Sequence, residues 1–276
     1  MHMFDSADLT CDDPCRIIYL RMIEAENLSK TYRTTPINPF RKPATTKALE
    51  SVSFQVGRGE AVAVVGRNGA GKTTLLKILA TLVLPDGGRA EICGNDVVAS
   101  SAAVRRKIGI VSGDERSFYW RLSGRENLIL FGALHNIPRR ELKKRIDSIL
   151  ASLDLTAAAD ISFRSYSSGM KQRLSLARCL IHEPEALLMD EPNKGIDPLM
   201  QARSIEYIRD EIVGRGGRAA LLATHNLEEA VALGGKVALL DRGRILFFGK
   251  VGDARELRDM MEPLDKNPAH GGEPWL

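Results

Sequence analysis

The sequence predicts an α/β domain built on a largely parallel sheet, with a separate helical segment inserted into it. Three observations lead there. Short apolar runs of strand length alternate with helical patterns along most of the chain. One of these runs, residues 61–65, feeds through a glycine-rich turn into a helical pattern at 73–82. Residues 123–154 carry helical periodicity and no strand pattern.

Taken in order, residues 23–32 and 49–56 read as strands, the second because Val52, Phe54 and Val56 alternate with Ser51, Ser53 and Gln55. Residues 34–46 hold Pro36, Pro39 and Pro43 and read as a loop. Apolar runs at 61–65, 108–111, 186–189, 219–223, 237–240 and 245–248 read as buried strands. In the helical segment, Ser123 and Glu126 form a capping-box start, and Leu142, Ile146, Ile149, Leu150 and Leu153 follow the helical period. Residues 1–21 read as a flexible extension, 22–256 as the domain with its helical insert at about 116–180, and 257–276 as a disordered tail holding Pro263, Pro268 and Pro274.

Composition narrows the function classes. With 44% hydrophobic and 27% charged residues, the chain can bury a core, which excludes a disordered or disulfide-scaffold protein. No apolar run approaches the ~20 residues of a bilayer span. Lys and Arg number 39 against 35 Asp and Glu, a dispersed excess that gives no footprint for nucleic acid. Cys11 and Cys15 lack the second pair or histidines of a zinc site, and with Cys93 and Cys179 they read as free thiols of a reducing compartment. The amino terminus lacks the basic and long apolar regions of a secretory signal.

The chemistry is carried by three strand ends. Gly66, Arg67, Asn68, Gly69, Ala70, Gly71, Lys72 and Thr73 fit the P-loop pattern G-x-x-x-x-G-K-[ST] between a strand and a helix. There backbone N–H groups wrap phosphate oxygens, the helix adds its positive end, Lys72 neutralises the β and γ phosphates, and the Thr73 hydroxyl faces Mg²⁺. A second buried run delivers Asp190 and Glu191 at its carboxyl end, Asp190 as a candidate Mg²⁺ group and Glu191 as the candidate base for an attacking water. His225 ends a third run and is placed to hydrogen-bond the γ phosphate.

On these residues the chain resembles the nucleotide-binding subunit of an ATP-binding cassette (ABC) transporter, from about residue 22 to 253. Tyr166, Ser167, Ser168, Gly169, Met170, Lys171, Gln172 and Arg173 resemble the LSGGQ signature, and the segment from Glu191 to Asp197 resembles the approach to the D-loop. The resemblance implies a P-loop NTPase core, with a RecA-like mostly parallel sheet plus an antiparallel β subdomain, and an inserted α-helical subdomain. It implies ATP and Mg²⁺ as ligands, Tyr32 stacking on adenine, Thr74 and Asp197 contacting nucleotide, and His225 as the switch histidine. Two copies would face each other, Ser167, Ser168 and Gly169 of one gripping the γ phosphate held by the P-loop of the other. The partners implied are that second copy and a separate integral-membrane permease, at the cytoplasmic face of the cell membrane. The segment Gly124, Arg125, Glu126, Asn127 and the signature variant resemble cassettes that export drugs, polysaccharides or lipids. The alternative is a soluble ABC-type ATPase in iron–sulfur assembly or another non-transport role.

Departures from the family pattern are Ser168 for glycine, Met170 for glutamine, and Gly113 where the Q-loop glutamine is expected. Asp114 or Glu115 is the candidate replacement oxygen ligand for Mg²⁺, against a water. Phe118, Tyr119 and Trp120 follow; three consecutive side chains cannot all turn inward, so at least one ring is exposed or in a groove. Trp120 or Phe118 is the candidate apolar anchor for the permease. Arg139, Arg140, Lys143, Lys144 and Arg145 read as a solvated helix face, with anionic lipid headgroups as the sharper alternative.

Overall fold

The computed structural model describes residues 21–34, 44–112 and 118–265. Its centre is a six-stranded sheet in the order β10-β9-β3-β8-β7-β6. Strands β3 (Ala61–Val65), β6 (Ile108–Ser112), β7 (Ala186–Asp190), β8 (Ala219–Thr224) and β9 (Lys236–Asp241) run parallel, and β10 (Arg244–Gly249) closes one edge antiparallel to β9. All five residues of β3 and all six of β8 are buried, as expected where both faces of a parallel sheet are covered. Side-chain alternation divides them between two cores. Val62, Val64, Leu188 and Leu221 face one, while Ala63, Val65, Leu187, Met189 and Leu222 face the other. The run at 245–248, expected to be buried, is a half-buried edge strand with Leu246 exposed, because it has a neighbour on one side only.

The first core is shared with an antiparallel sheet ordered β2-β1-β4-β5, where β1 is Arg21–Thr34, β2 Ala44–Gly57, β4 Gly87–Ile92 and β5 Asn95–Asp96. β1 and β2 pair out to Thr34 and Ala44, so both strands extend into the stretch expected to be a loop. β4 and β5 have no counterpart in the sequence reading. In β4 only Ala90 and Ile92 are buried, too little for a period to show, and Cys93 and Gly94 join the pair with the two positive φ angles of a tight hairpin.

In the chain between the adjacent strands β6 and β7 come three helices, α3 (Gly124–Leu134), α4 (Arg139–Ser152) and α5 (Ser168–Leu180); α1 (Lys72–Leu79) and α2 (Ser101–Lys107) precede them. The capping box at α3 forms as expected, Ser123 accepting from the Glu126 N–H and Glu126 from the Ser123 N–H. Each residue of the Gly124–Asn127 segment has a structural task. A Cβ on Gly124 would lie 2.1 Å from the Tyr166 hydroxyl; Arg125 pairs with Asp147 and Asp160; and Asn127, fully buried, holds the Tyr119 backbone N–H at 2.9 Å and its carbonyl at 3.1 Å. Phe118 is thereby turned inward, stacked on Phe163 at 4.6 Å, while Tyr119 and Trp120 are 58% and 50% exposed. Phe118 as a surface anchor is thus corrected: its ring is core. On α4, Leu142, Ile146 and Leu150 face inward while Arg139, Arg140, Lys143 and Lys144 are exposed; Arg145 pairs with Glu141 and Glu183.

The remaining helices are α6 (Pro198–Tyr207), continued by a π-helical stretch over Ile208–Arg215, then α7 (Leu227–Ala232) and α8 (Ala254–Asp265). The last of these corrects the carboxyl-terminal boundary. α8 crosses position 256 and continues through Pro263, and Leu257 is fully buried in the core, so residues 257–265 belong to the fold. Residues 1–20, including Cys11 and Cys15, and residues 113–117, including Asp114 and Glu115, lie outside the described residues. Cys93 and Cys179 are unpaired thiols that burial pushes up to about 12.

Candidate functional site

Parallel pairing brings the carboxyl ends of β3, β7 and β8 to one edge, Val65 opposite Thr224 and Asp190 opposite Ala223. That edge is where ligands bind in open α/β sheets. Gly66 to Gly71 turn there from β3 into α1. Gly71, at φ 111°, cannot carry a side chain, since a Cβ would meet the Ala48 carbonyl at 2.3 Å. The first turn of α1 has no side-chain cap and no acidic residue, which leaves its N–H groups and the positive end of its dipole uncompensated by the chain.

Lys72 is 6% exposed and folds back over this loop, its Nζ donating to the carbonyls of Gly66 at 2.6 Å and Arg67 at 3.1 Å. Burial holds its pKa below the ordinary lysine range, against the attraction of Glu191 and Asp190. Two of the three ammonium donors are thus used. Beside it, the Thr73 hydroxyl donates to Asp190 Oδ1 at 3.3 Å. Burial raises the Asp190 carboxyl above its usual range, and the Thr73 hydrogen bond offsets this in part.

Glu191 takes a left-handed backbone conformation, φ 45°, immediately after β7, with its N–H fixed to the Ala223 carbonyl at 2.9 Å. Such a φ on a residue other than glycine is uncommon and turns the side chain sharply off the strand direction. Its Oε1 lies 3.0 Å from His225 Nδ1 and its Oε2 3.4 Å from Lys194 Nζ. Burial alone would raise the Glu191 pKa; His225, through hydrogen bond and charge, and Lys194 outweigh it and hold the carboxyl below the ordinary glutamate range. The Lys194 contact went unseen in the sequence, although a lysine three residues past a carboxylate at a turn is a readable signal.

Ser167 is the N-cap of α5, accepting from the Met170 N–H at 3.3 Å, and Ser168 and Gly169 open that helix. Asp197 caps α6 through the Met200 N–H at 3.1 Å. Tyr32 is 39% exposed on β1, with Lys30 Nζ 5.7 Å from its ring centre.

A strand–glycine loop–helix unit, an acidic pair and a histidine on one edge of a parallel sheet, with a capped helix start carrying the signature in an inserted helical segment, define an ATP-binding cassette nucleotide-binding domain. A family model described as "ABC transporter" matches residues 49–194, and the chain belongs to that family. Daunorubicin resistance ATP-binding protein DrrA3 of Streptomyces coeruleorubidus is 44% identical over 203 residues, covering 74% of this chain and 63% of that protein. ABC transporter ATP-binding protein NatA of Bacillus subtilis (strain 168) is 34% identical over 208 residues, 75% of this chain and 84% of NatA. The solved structure of cbiO1 from Clostridium perfringens, part of the ABC transporter complex cbiONQ, shares the fold with a TM-score of 0.73 at 24% identity, covering 90% of this chain and 94% of that one. The match spans less than two thirds of the length of DrrA3.

Proposed function

We propose that this chain is the ATP-binding and ATP-hydrolysing subunit that energises export of a drug-, polysaccharide- or lipid-like substrate through a separate membrane permease. The observation that carries the reading is the convergence of Lys72, Thr73, Asp190, Glu191 and His225 on one sheet edge within a chain of the ABC transporter family. Similarity to DrrA3, a drug-resistance protein by name, supports export.

The residues present fit a nucleotide triphosphate. The loop from Gly66 to Gly71 and the uncapped start of α1, with Thr74 in its first turn, would hold the phosphates, and the third donor of Lys72 reaches their β and γ oxygens. They also fit Mg²⁺. Thr73 Oγ1 and Asp190 Oδ1 lie close enough together to serve one ion, directly or through its waters. When bound, the ion supplies charge neutralisation on the phosphate oxygens. Glu191 takes the proton of a water whose oxygen bonds to the γ phosphorus, while the β–γ bridging oxygen leaves with ADP. His225 holds Glu191 from Oε1, and its other ring nitrogen would reach the γ phosphate as a donor only when both ring nitrogens carry protons.

A second copy completes the site. A Cβ added at Gly169 would meet nothing closer than Met200 Cε at 3.8 Å, so this chain's own packing does not require glycine there. The open start of α5 supports close approach by an opposed phosphate. ATP-driven closure of this dimer would then drive the permease, with Asp114 or Glu115 proposed to supply the oxygen ligand in place of the Q-loop glutamine. No helix of the described residues is long and apolar enough to cross a membrane. The proposed location, peripheral at the cytoplasmic face through the permease, rests on membership of the ABC transporter family.

The exposed pair Tyr119 and Trp120 is the proposed apolar anchor. Affinity capture from membranes tests this. Wild type is expected to retain a polytopic partner, and the double change Tyr119→Ala, Trp120→Ala to reduce that retention at least about tenfold with nucleotide affinity unchanged. Unchanged retention would remove the anchor; no polytopic partner with any version would contradict the transport role.

A further inference from the structure

A ring of buried and half-buried side chains that the proposed chemistry does not use ties the turn carrying His225 to the loop behind Glu191. Glu229, the third residue of α7, is 7% exposed. One carboxylate oxygen accepts from Asn193 Nδ2 and the other from the Thr224 hydroxyl. That hydroxyl accepts from the Asn226 N–H at 3.0 Å. Gln201 of α6 closes the ring: its Nε2 donates to the carbonyls of Asn193 at 3.2 Å and Ile196 at 2.8 Å, and its Oε1 accepts from Asn226 Nδ2 at 3.4 Å. Thr224 and Asn226 flank His225, and Asn193 stands two residues after Glu191.

Glu126 occupies the same third position of α3, and its carboxylate returns to the backbone N–H of the cap residue, Ser123, at 2.8 Å. In α7 the equivalent N–H of Asn226 is already taken by Thr224. The Glu229 carboxylate is therefore free of capping duty and crosses to another loop. Both its oxygens are met by neutral donors, an expensive way to bury a carboxylate unless its direction matters. Asn193 Oδ1 is buried without a partner, so the amide nitrogen is turned to Glu229 at the cost of its oxygen.

We infer that Glu229 is a positioning residue for hydrolysis. Through Asn193 and Thr224 it fixes the loop running from Glu191 to Asp197 against the His225 turn, and so sets the spacing of the base and the histidine. This rests on the reading of Glu191 and His225 as the hydrolytic pair.

A donor–acceptor swap tests it. Asn193→Asp sets carboxylate against carboxylate and is expected to lower kcat at least about tenfold, with nucleotide affinity within about twofold of wild type. Adding Glu229→Gln restores one donor and one acceptor at nearly equal volume, and should recover kcat to within about threefold of wild type. Gln201→Ala, which loosens the same ring from a half-buried position, should lower kcat about threefold to tenfold without changing affinity, and serves if Asn193→Asp does not fold. An unchanged kcat in the single variants, a loss in affinity rather than kcat, or a double variant no better than Asn193→Asp would overturn the inference. Failure of the wild-type chain itself to hydrolyse ATP would instead overturn the parent reading.

Discussion

Replacing Glu191 by glutamine is expected to lower ATP turnover by on the order of a hundredfold to ten-thousandfold, the usual range for removing a general base. The change is nearly isosteric, so the left-handed turn and the contact with His225 can persist. What is lost is the ability to accept the water's proton. Lys72, Thr73 and Asp190 are untouched, so ATP affinity should stay within a few-fold of wild type, and an ATP-loaded dimer should accumulate on sizing columns. The pH profile gives a second reading of the same residue. Because His225 and Lys194 outweigh burial and depress the Glu191 pKa, the active carboxylate is present through the neutral range. In wild type kcat/KM should fall only as pH drops below the ordinary glutamate value, and in the variant that limb should vanish. Wild-type turnover in Glu191→Gln would remove the assignment of the base.

Lys72→Ala should act on binding. The ammonium offers a charged donor to the phosphates from a buried position, and a charge-assisted hydrogen bond is worth roughly 1.5–3 kcal/mol. Nucleotide Kd is therefore expected to rise about tenfold to a hundredfold. The same change removes the Lys72 donor from the Gly66 and Arg67 carbonyls, so the melting temperature must be measured beside the titration. Weakened binding in a folded variant supports the role; unchanged affinity opposes it.

The sequence displayed its site better than its scaffolding. Asp190 and Glu191 end one apolar run, His225 follows another and the glycine loop to Lys72 follows a third, and short apolar runs bounded by turn residues read as buried parallel strands. β4 and β5 escaped because β5 is only two residues long, and β4 buries little and pairs with β1 some sixty residues earlier, where no local period records it. The helix α8 was lost to Pro263, yet Leu257 and Met261 supply an apolar stripe that packs on the core. The structural roles of Asn127 and Glu229 were invisible for another reason. Their importance lies in burial and in hydrogen bonds to partners from other turns, which composition and spacing do not encode.

At the centre stands the proposal that one ATP is enclosed by the P-loop of one copy and the α5 start of another. Cysteines placed at Asn68, exposed in the loop, and at Ser167, in a Glu191→Gln chain with the four native cysteines replaced, measure it directly. Addition of MgATP should produce a disulfide-linked dimer that forms neither without nucleotide nor with either cysteine alone. A chain that binds ATP normally and yet forms no such crosslink would contradict the account.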